Sequence, residues 1–120
     1  MNRTAMIVDD SLFMRKILCA ILTENGYTVI AEAASGIEAM KNLHSSHPDL
    51  ILLDIILPDS SGLDLLTSLI TTCPASKVVI CSAIGQEQVT KKALELGAMA
   101  FIQKPFTPET VTDVLKSLGD

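Results

Sequence analysis

Five side chains with chemistry to offer lie far apart in this sequence: the carboxylates of Asp9, Asp10 and Asp54, the hydroxyl of Ser82 and the ammonium of Lys104. Each alone has an ordinary reading. An Asp pair can cap a helix, a serine can sit in a loop, and a lysine can be a solvated charge. Gathered in one place they ask for something more. Three carboxylates about 5 Å apart repel by about 3 kcal/mol per pair at an effective dielectric near 20. One ammonium cannot neutralise three acids, whereas a divalent cation can. The donors are hard oxygens without His or Cys among them, which favours Mg²⁺ or Mn²⁺ over Zn²⁺. A site of few carboxylates keeps waters on such an ion and leaves room for phosphate oxygens. A carboxylate held there can act as a nucleophile toward phosphorus and form an aspartyl-phosphate. The transferring group spreads charge over three equatorial oxygens, and the cation, Lys104 and Ser82 could take one each.

That chemistry requires elements that bring the five together. The clearest is Leu50 to Pro58, where seven of nine residues are Leu or Ile and Asp54 is the lone carboxylate. Such a run fits a strand buried on both faces in a parallel sheet. Pro58 cannot donate to a ladder, so the strand ends before it. Asp54 then falls at the strand's C-terminal end, where open α/β sheets keep their ligand crevices.

The remaining strands are predicted at Thr4 to Val8, Tyr27 to Ala31, Lys77 to Cys81 and Ala100 to Gln103. Helices are predicted over Leu12 to Asn25 behind an N-cap at Ser11, from Ser35 to about Ser46, over Leu63 to Thr72, over Glu87 to Leu96, and from Pro108 to about Ser117 behind Thr107. Ser35 with Glu38 forms a capping-box pattern. Strict alternation implies right-handed crossovers and a doubly wound α/β fold with a single parallel sheet. Asp9 and Asp10 then follow the first strand, Ser82 the fourth and Lys104 the fifth, so all five residues share one sheet edge.

Composition agrees with one domain over residues 1–120. Hydrophobic residues make up 48% of 120, with only Phe13, Tyr27, Phe101 and Phe106 as aromatics, so the core is aliphatic. The net charge of −5 argues against a nucleic-acid surface on this domain. Three cysteines without CxxC spacing fit neither a disulfide framework nor a zinc site. Cys19 and Cys81, in apolar runs, are expected to be buried. Met1, Met6, Met14, Met40 and Met99 are expected to serve in packing. His44, His47, Lys91 and Lys92 are expected to be solvated. Neither a signal peptide nor a membrane span is legible, and a reducing cytoplasm is the natural setting.

At this point the chain resembles the receiver domain of bacterial two-component response regulators. The resemblance rests on Ile7-Val8-Asp9-Asp10-Ser11, Leu52-Leu53-Asp54-Ile55-Ile56-Leu57-Pro58 with Gly62 beyond it, Cys81-Ser82-Ala83, and Phe101-Ile102-Gln103-Lys104-Pro105-Phe106. Asp10 to Arg15 and Ser82 to Gln86 bring it nearest to single-domain chemotaxis regulators of the CheY type. The resemblance implies a flavodoxin-like strand order 2-1-3-4-5 with five helices. It implies that Asp54 accepts phosphoryl from a histidine kinase or phosphotransfer protein. Asp10, Asp54 and the Ile56 backbone carbonyl would hold Mg²⁺, with Asp9 acting through a water on the metal. Lys104 and Ser82 would hold phosphoryl oxygens. Ser82 and Phe101 would be the switch, changing the face of the fourth helix, fifth strand and fifth helix that an output partner reads. The Lys104–Pro105 bond becomes a cis candidate. Monomer and phosphorylation-dependent dimer both remain open. So does the choice between a stand-alone messenger and a receiver cut from a longer DNA-binding or enzymatic regulator.

Two further positions matter within that resemblance. Ile56 and Ile84 each stand two residues beyond a site residue and should flank the path of a hydrolytic water. Aliphatic groups there can neither orient nor activate it, so autodephosphorylation is expected to be slow. Other classes fit less well. A haloacid-dehalogenase-type phosphatase needs a second Asp where Ile56 stands. A flavodoxin-like cofactor binder would meet repulsion from Asp9-Asp10, and a nicotinamide-binding domain lacks its GxGxxG.

Overall fold

The computed structural model describes residues 3–119. Met1, expected in packing, therefore lies outside the described residues, as do the ends of the 1–120 domain assignment. The elements run β1 (Arg3–Val8), α1 (Leu12–Glu24), β2 (Tyr27–Ala33), α2 (Gly36–Ser46), β3 (Leu50–Asp54), α3 (Gly62–Thr72), β4 (Lys77–Ala83), α4 (Glu87–Leu96), β5 (Ala100–Lys104) and α5 (Pro108–Ser117). The five strands form one sheet in the order β2-β1-β3-β4-β5, and every pairing is parallel.

Alternating strand side chains feed two cores. Met6, Val8, Ile51, Leu53 and Ile80 meet Leu43 of α2, Leu66 and Leu69 of α3, and Ala93 of α4. Ala5, Ile7, Leu50, Leu52 and Val79 meet Leu18 and Leu22 of α1 and Val111 and Leu115 of α5. Each fully buried Leu or Ile contributes about 1.5–3 kcal/mol. The central strand is buried from Leu50 to Leu53, which is why it tolerates no charge before Asp54.

The predicted caps form. The Ser11, Ser35 and Thr107 side chains accept from the backbone N–H groups of Met14, Glu38 and Thr110. Gly97 ends α4 at φ 125°. The start of α2 is held a second way, which the sequence did not announce. Asp59, in the β3–α3 loop, accepts from Gly36 N at 2.9 Å and Ile37 N at 3.2 Å. The Gly36 bond leads in holding the Asp59 carboxyl below its usual range. Ser35→Ala removes one of these caps and is expected to cost about 1 kcal/mol, read as a lower urea midpoint at unchanged slope.

Several expectations need correction. Strands β4 and β5 run further than predicted, because Ser82 pairs with Gln103 and Ala83 with Lys104. Ser82 and Lys104 therefore lie within the last turns of the ladder rather than past it. Cys19 is only half-buried, whereas Cys73 joins Cys81 among the buried residues. Met99 is exposed. His47 is exposed but engaged: it ends α2 in the left-handed region at φ 46°, with Nδ1 3.4 Å from Cys73 Sγ.

Candidate functional site

The parallel sheet brings the C-terminal ends of β1, β3, β4 and β5 to one edge, and the acids meet there. One oxygen each from Asp9, Asp10 and Asp54 lies within 4.8 Å of the others. Asp9 is buried, at 2% exposure, Asp54 is nearly so, and Asp10 faces solvent. Lys104, arriving from β5, places Nζ 3.2 Å from Asp9 Oδ2 and 3.2 Å from Asp54 Oδ2.

In Asp9 and Asp54 the backbone satisfies one carboxylate oxygen and Lys104 faces the other. Asp9 Oδ1 accepts from Ser11 N at 2.8 Å, and Asp54 Oδ1 accepts from Ile56 N at 3.1 Å. The first bond also starts α1; the second folds the Ile56 backbone against the carboxylate. That fold needs Gly62, where a Cβ would overlap the backbone of Ile55. An antiparallel bridge between Ile56 and Ser61 closes the same loop.

The charges are unbalanced in favour of acid. Burial raises the Asp54 carboxyl above its ordinary value; the Ile56 N–H and Lys104 pull it back, and Asp9 pushes it further up. Burial alone would lower the Lys104 ammonium, but Asp54 and Asp9 outweigh that and hold it raised. Donor chemistry and acid excess together fit a hard divalent cation. Cys81 is a neighbour that the sequence reading left out of the site, since it pairs with Asp54 across the ladder. Burial pushes its thiol up to about 12, so it stays protonated and offers no thiolate to a metal.

Ser82 is buried at the end of β4. It shares an open cavity of about 330 Å³ with Thr90, Leu94 and Phe101, and Phe101 is 44% exposed at its rim. Ile56 and Ile84, in the loops after β3 and β4, are 57% and 71% exposed. Two contacts escaped the sequence reading. The Arg15 side chain spans to Asp9 and Glu32, and Gln86 Oε1 accepts from Ala83 N at 2.6 Å. The Lys104–Pro105 peptide is cis, as expected.

The response regulator receiver domain model matches residues 5–116. The chain belongs to the response regulator receiver domain family. As a receiver it is similar to the chemotaxis protein CheY of Thermotoga maritima, at 37% identity over 99% of both chains. It is 39% identical to a protein-glutamate methylesterase/protein-glutamine glutaminase of Pyrococcus horikoshii, covering 96% of this receiver but 31% of that longer protein. The CheY chain in a CheX-CheY-BeF3-Mg complex from Borrelia burgdorferi superposes with a TM-score of 0.90 at 34% identity, covering 97% of this receiver and 88% of that chain. The family acts as a phosphoacceptor switch in signal transduction, with Mg²⁺ bound at an acidic pocket. Among the described residues, no helix of this receiver is long and apolar enough to cross a membrane.

Proposed function

We propose that this receiver is a chemotaxis-type switch, with Asp54 as the phosphoacceptor. The observation that carries the reading is the cluster itself: three carboxylate oxygens within 4.8 Å, and one ammonium 3.2 Å from two of the acids. An Asp54 oxygen attacks phosphorus in line; the bond from phosphorus to the donor nitrogen or oxygen breaks, and the donor leaves with that electron pair. The Lys104 ammonium and Ser82 hydroxyl donate to phosphoryl oxygens as charge moves onto them. Asp9, Asp10, Asp54 and the Ile56 carbonyl are the groups that would hold Mg²⁺. When bound, that ion neutralises the acid excess and the incoming phosphoryl charge. A haloacid-dehalogenase-type reaction lacks its general acid, because Ile56 stands in that position.

The cavity shared by Ser82 and Phe101 supports the switch proposed for them: Ser82 moves toward the phosphoryl group and Phe101 turns inward. The α4–β5–α5 face would then change its affinity for an output partner. The donor would be a histidine kinase or phosphotransfer protein. The complex of the Borrelia relative with CheX supports a protein partner for the loaded form. The match to part of the Pyrococcus methylesterase keeps a second setting open, a receiver joined to an effector.

The test is intact mass after incubation with Mg²⁺ and acetyl phosphate. A phosphoryl increment is expected, and it should vanish in Asp54→Asn and in the presence of EDTA. An increment that survives Asp54→Asn would move the acceptor elsewhere.

The exposed Ile56 and Ile84 leave an attacking water without a hydrogen-bond partner on this side. Ile56→Asn is expected to shorten the phosphoryl lifetime about tenfold, which corresponds to about 1.4 kcal/mol, the size of one hydrogen bond. Loss of the mass increment with time, after acetyl phosphate is removed by desalting into Mg²⁺ buffer, measures it. An unchanged or longer lifetime, alone or with Ile84→Glu, would show that these positions do not limit hydrolysis.

A further inference from the structure

Asp9 is fixed at four points. Its N–H donates to Ala33 O at 2.9 Å, Oδ1 accepts from Ser11 N, Oδ2 faces Lys104, and its backbone carbonyl accepts from Arg15 Nη1 at 2.6 Å. Three of these contacts are made by backbone groups or by Lys104, already part of the site. The fourth comes from a side chain one turn into α1.

Arg15 does not float freely to that carbonyl. Its Nε donates to Glu32 Oε1 at 3.0 Å, which ties the guanidinium to β2. Asn42 Nδ2 in turn donates to the Glu32 carbonyl at 3.0 Å, so the anchor strand is itself held from α2. The planar fork thus spans a carboxylate and a carbonyl at once, and the guanidinium is largely shielded from solvent. What it grips is the Asp9–Asp10 peptide. Asp10 is exposed and hangs from that peptide, so the plane Arg15 holds sets where the Asp10 carboxylate points relative to Asp9 and Asp54.

We propose that Arg15 is a positioning residue for the acid cluster, acting through the Asp9 carbonyl and anchored by Glu32. The inference rests on the reading of that cluster as a Mg²⁺ site. Its consequence has an unusual sign. A guanidinium this close to the acids repels a divalent cation, so on charge alone its removal should tighten Mg²⁺ binding. If Arg15 instead aims Asp10, its removal should loosen binding. Partners that orient metal ligands typically change affinity by about 10–100-fold.

The experiment titrates Mg²⁺ alone into the full chain by calorimetry, without any phosphodonor, for the parent, Arg15→Gln, Arg15→Lys and Glu32→Ala. Circular dichroism in EDTA confirms that each variant is folded at the titration temperature. Arg15→Gln is expected to bind about tenfold more weakly. Arg15→Lys keeps the charge but not the fork and should recover part of the loss. Glu32→Ala leaves Arg15 in place without its anchor and should fall between Arg15→Gln and the parent. Equal or tighter binding by Arg15→Gln overturns the proposal. So does a loss in Arg15→Gln with none in Glu32→Ala, since the anchor would then be idle. A parent that binds no Mg²⁺ would instead sink the reading of the cluster as a metal site.

Discussion

In EDTA, the Asp54→Asn protein is expected to unfold at a higher temperature than the parent, and in saturating Mg²⁺ the order is expected to reverse. At 4.8 Å, two unit charges at an effective dielectric of 20 repel by about 3.5 kcal/mol. Asp54 has two such neighbours, against one attraction of about 5 kcal/mol to Lys104 at 3.2 Å. The balance leaves the Asp54 charge a net burden of about 1–2 kcal/mol before burial is added. The raised carboxyl agrees in sign. A carboxyl raised by folding favours the neutral form, so its contribution to stability is present at low pH and lost as pH climbs through the folded-state value. Asn supplies the neutral form at every pH. For a domain of this size, 1 kcal/mol moves the midpoint by about 4 °C. Mg²⁺ at about a hundred times its Kd adds about 2.7 kcal/mol to the parent, or roughly 10 °C, and much less to a variant without the central carboxylate. Differential scanning calorimetry with and without the ion reads both arms. A parent more stable than Asp54→Asn in EDTA would mean that the Lys104 pairing outweighs the repulsion.

The second large effect is expected at Gly62. A methyl there would enter the space of the Ile55 backbone, and backbone cannot step aside as a side chain can. Gly62→Ala is therefore expected to cost about 1–3 kcal/mol, as overpacking of a well-packed position does. It should also reach the site. Ile55 donates its N–H to Cys81 O at 3.1 Å, and Ile56 donates to Asp54 Oδ1, so the displaced segment carries a hydrogen bond to the acid cluster. Urea unfolding in EDTA gives the first quantity and Mg²⁺ titration the second. Full stability would show that α3 can shift to admit the methyl. Lost stability with unchanged Mg²⁺ affinity would confine the damage to packing.

The sheet was legible because its strands are short apolar runs and because Ser11, Ser35, Gly97 and Thr107 mark helix ends through local chemistry. The cluster was legible because strand order alone sends Asp9, Asp54, Ser82 and Lys104 to one edge. Strand ends were less so: β4 and β5 continue past Cys81 and Gln103 because each pairs with the other, a fact that neither segment contains. Asp59 capping α2, Arg15 bridging Asp9 and Glu32, and Gln86 holding Ala83 were invisible for a related reason. A carboxylate, guanidinium or amide on a polar surface looks the same in sequence whether it is solvated or committed to a backbone group. Gly62 had a place in the family pattern, but its reason, the approach of Ile55, exists only in three dimensions.

The Lys104 ion pairs join positions 50 and 95 residues apart. During synthesis the three acids are therefore made long before their cation, and parallel pairing of distant strands is slow to form. Until β5 docks, a nascent chain carries its acids without the ammonium that pairs with two of them. The balanced cluster thus arrives only with the completed sheet.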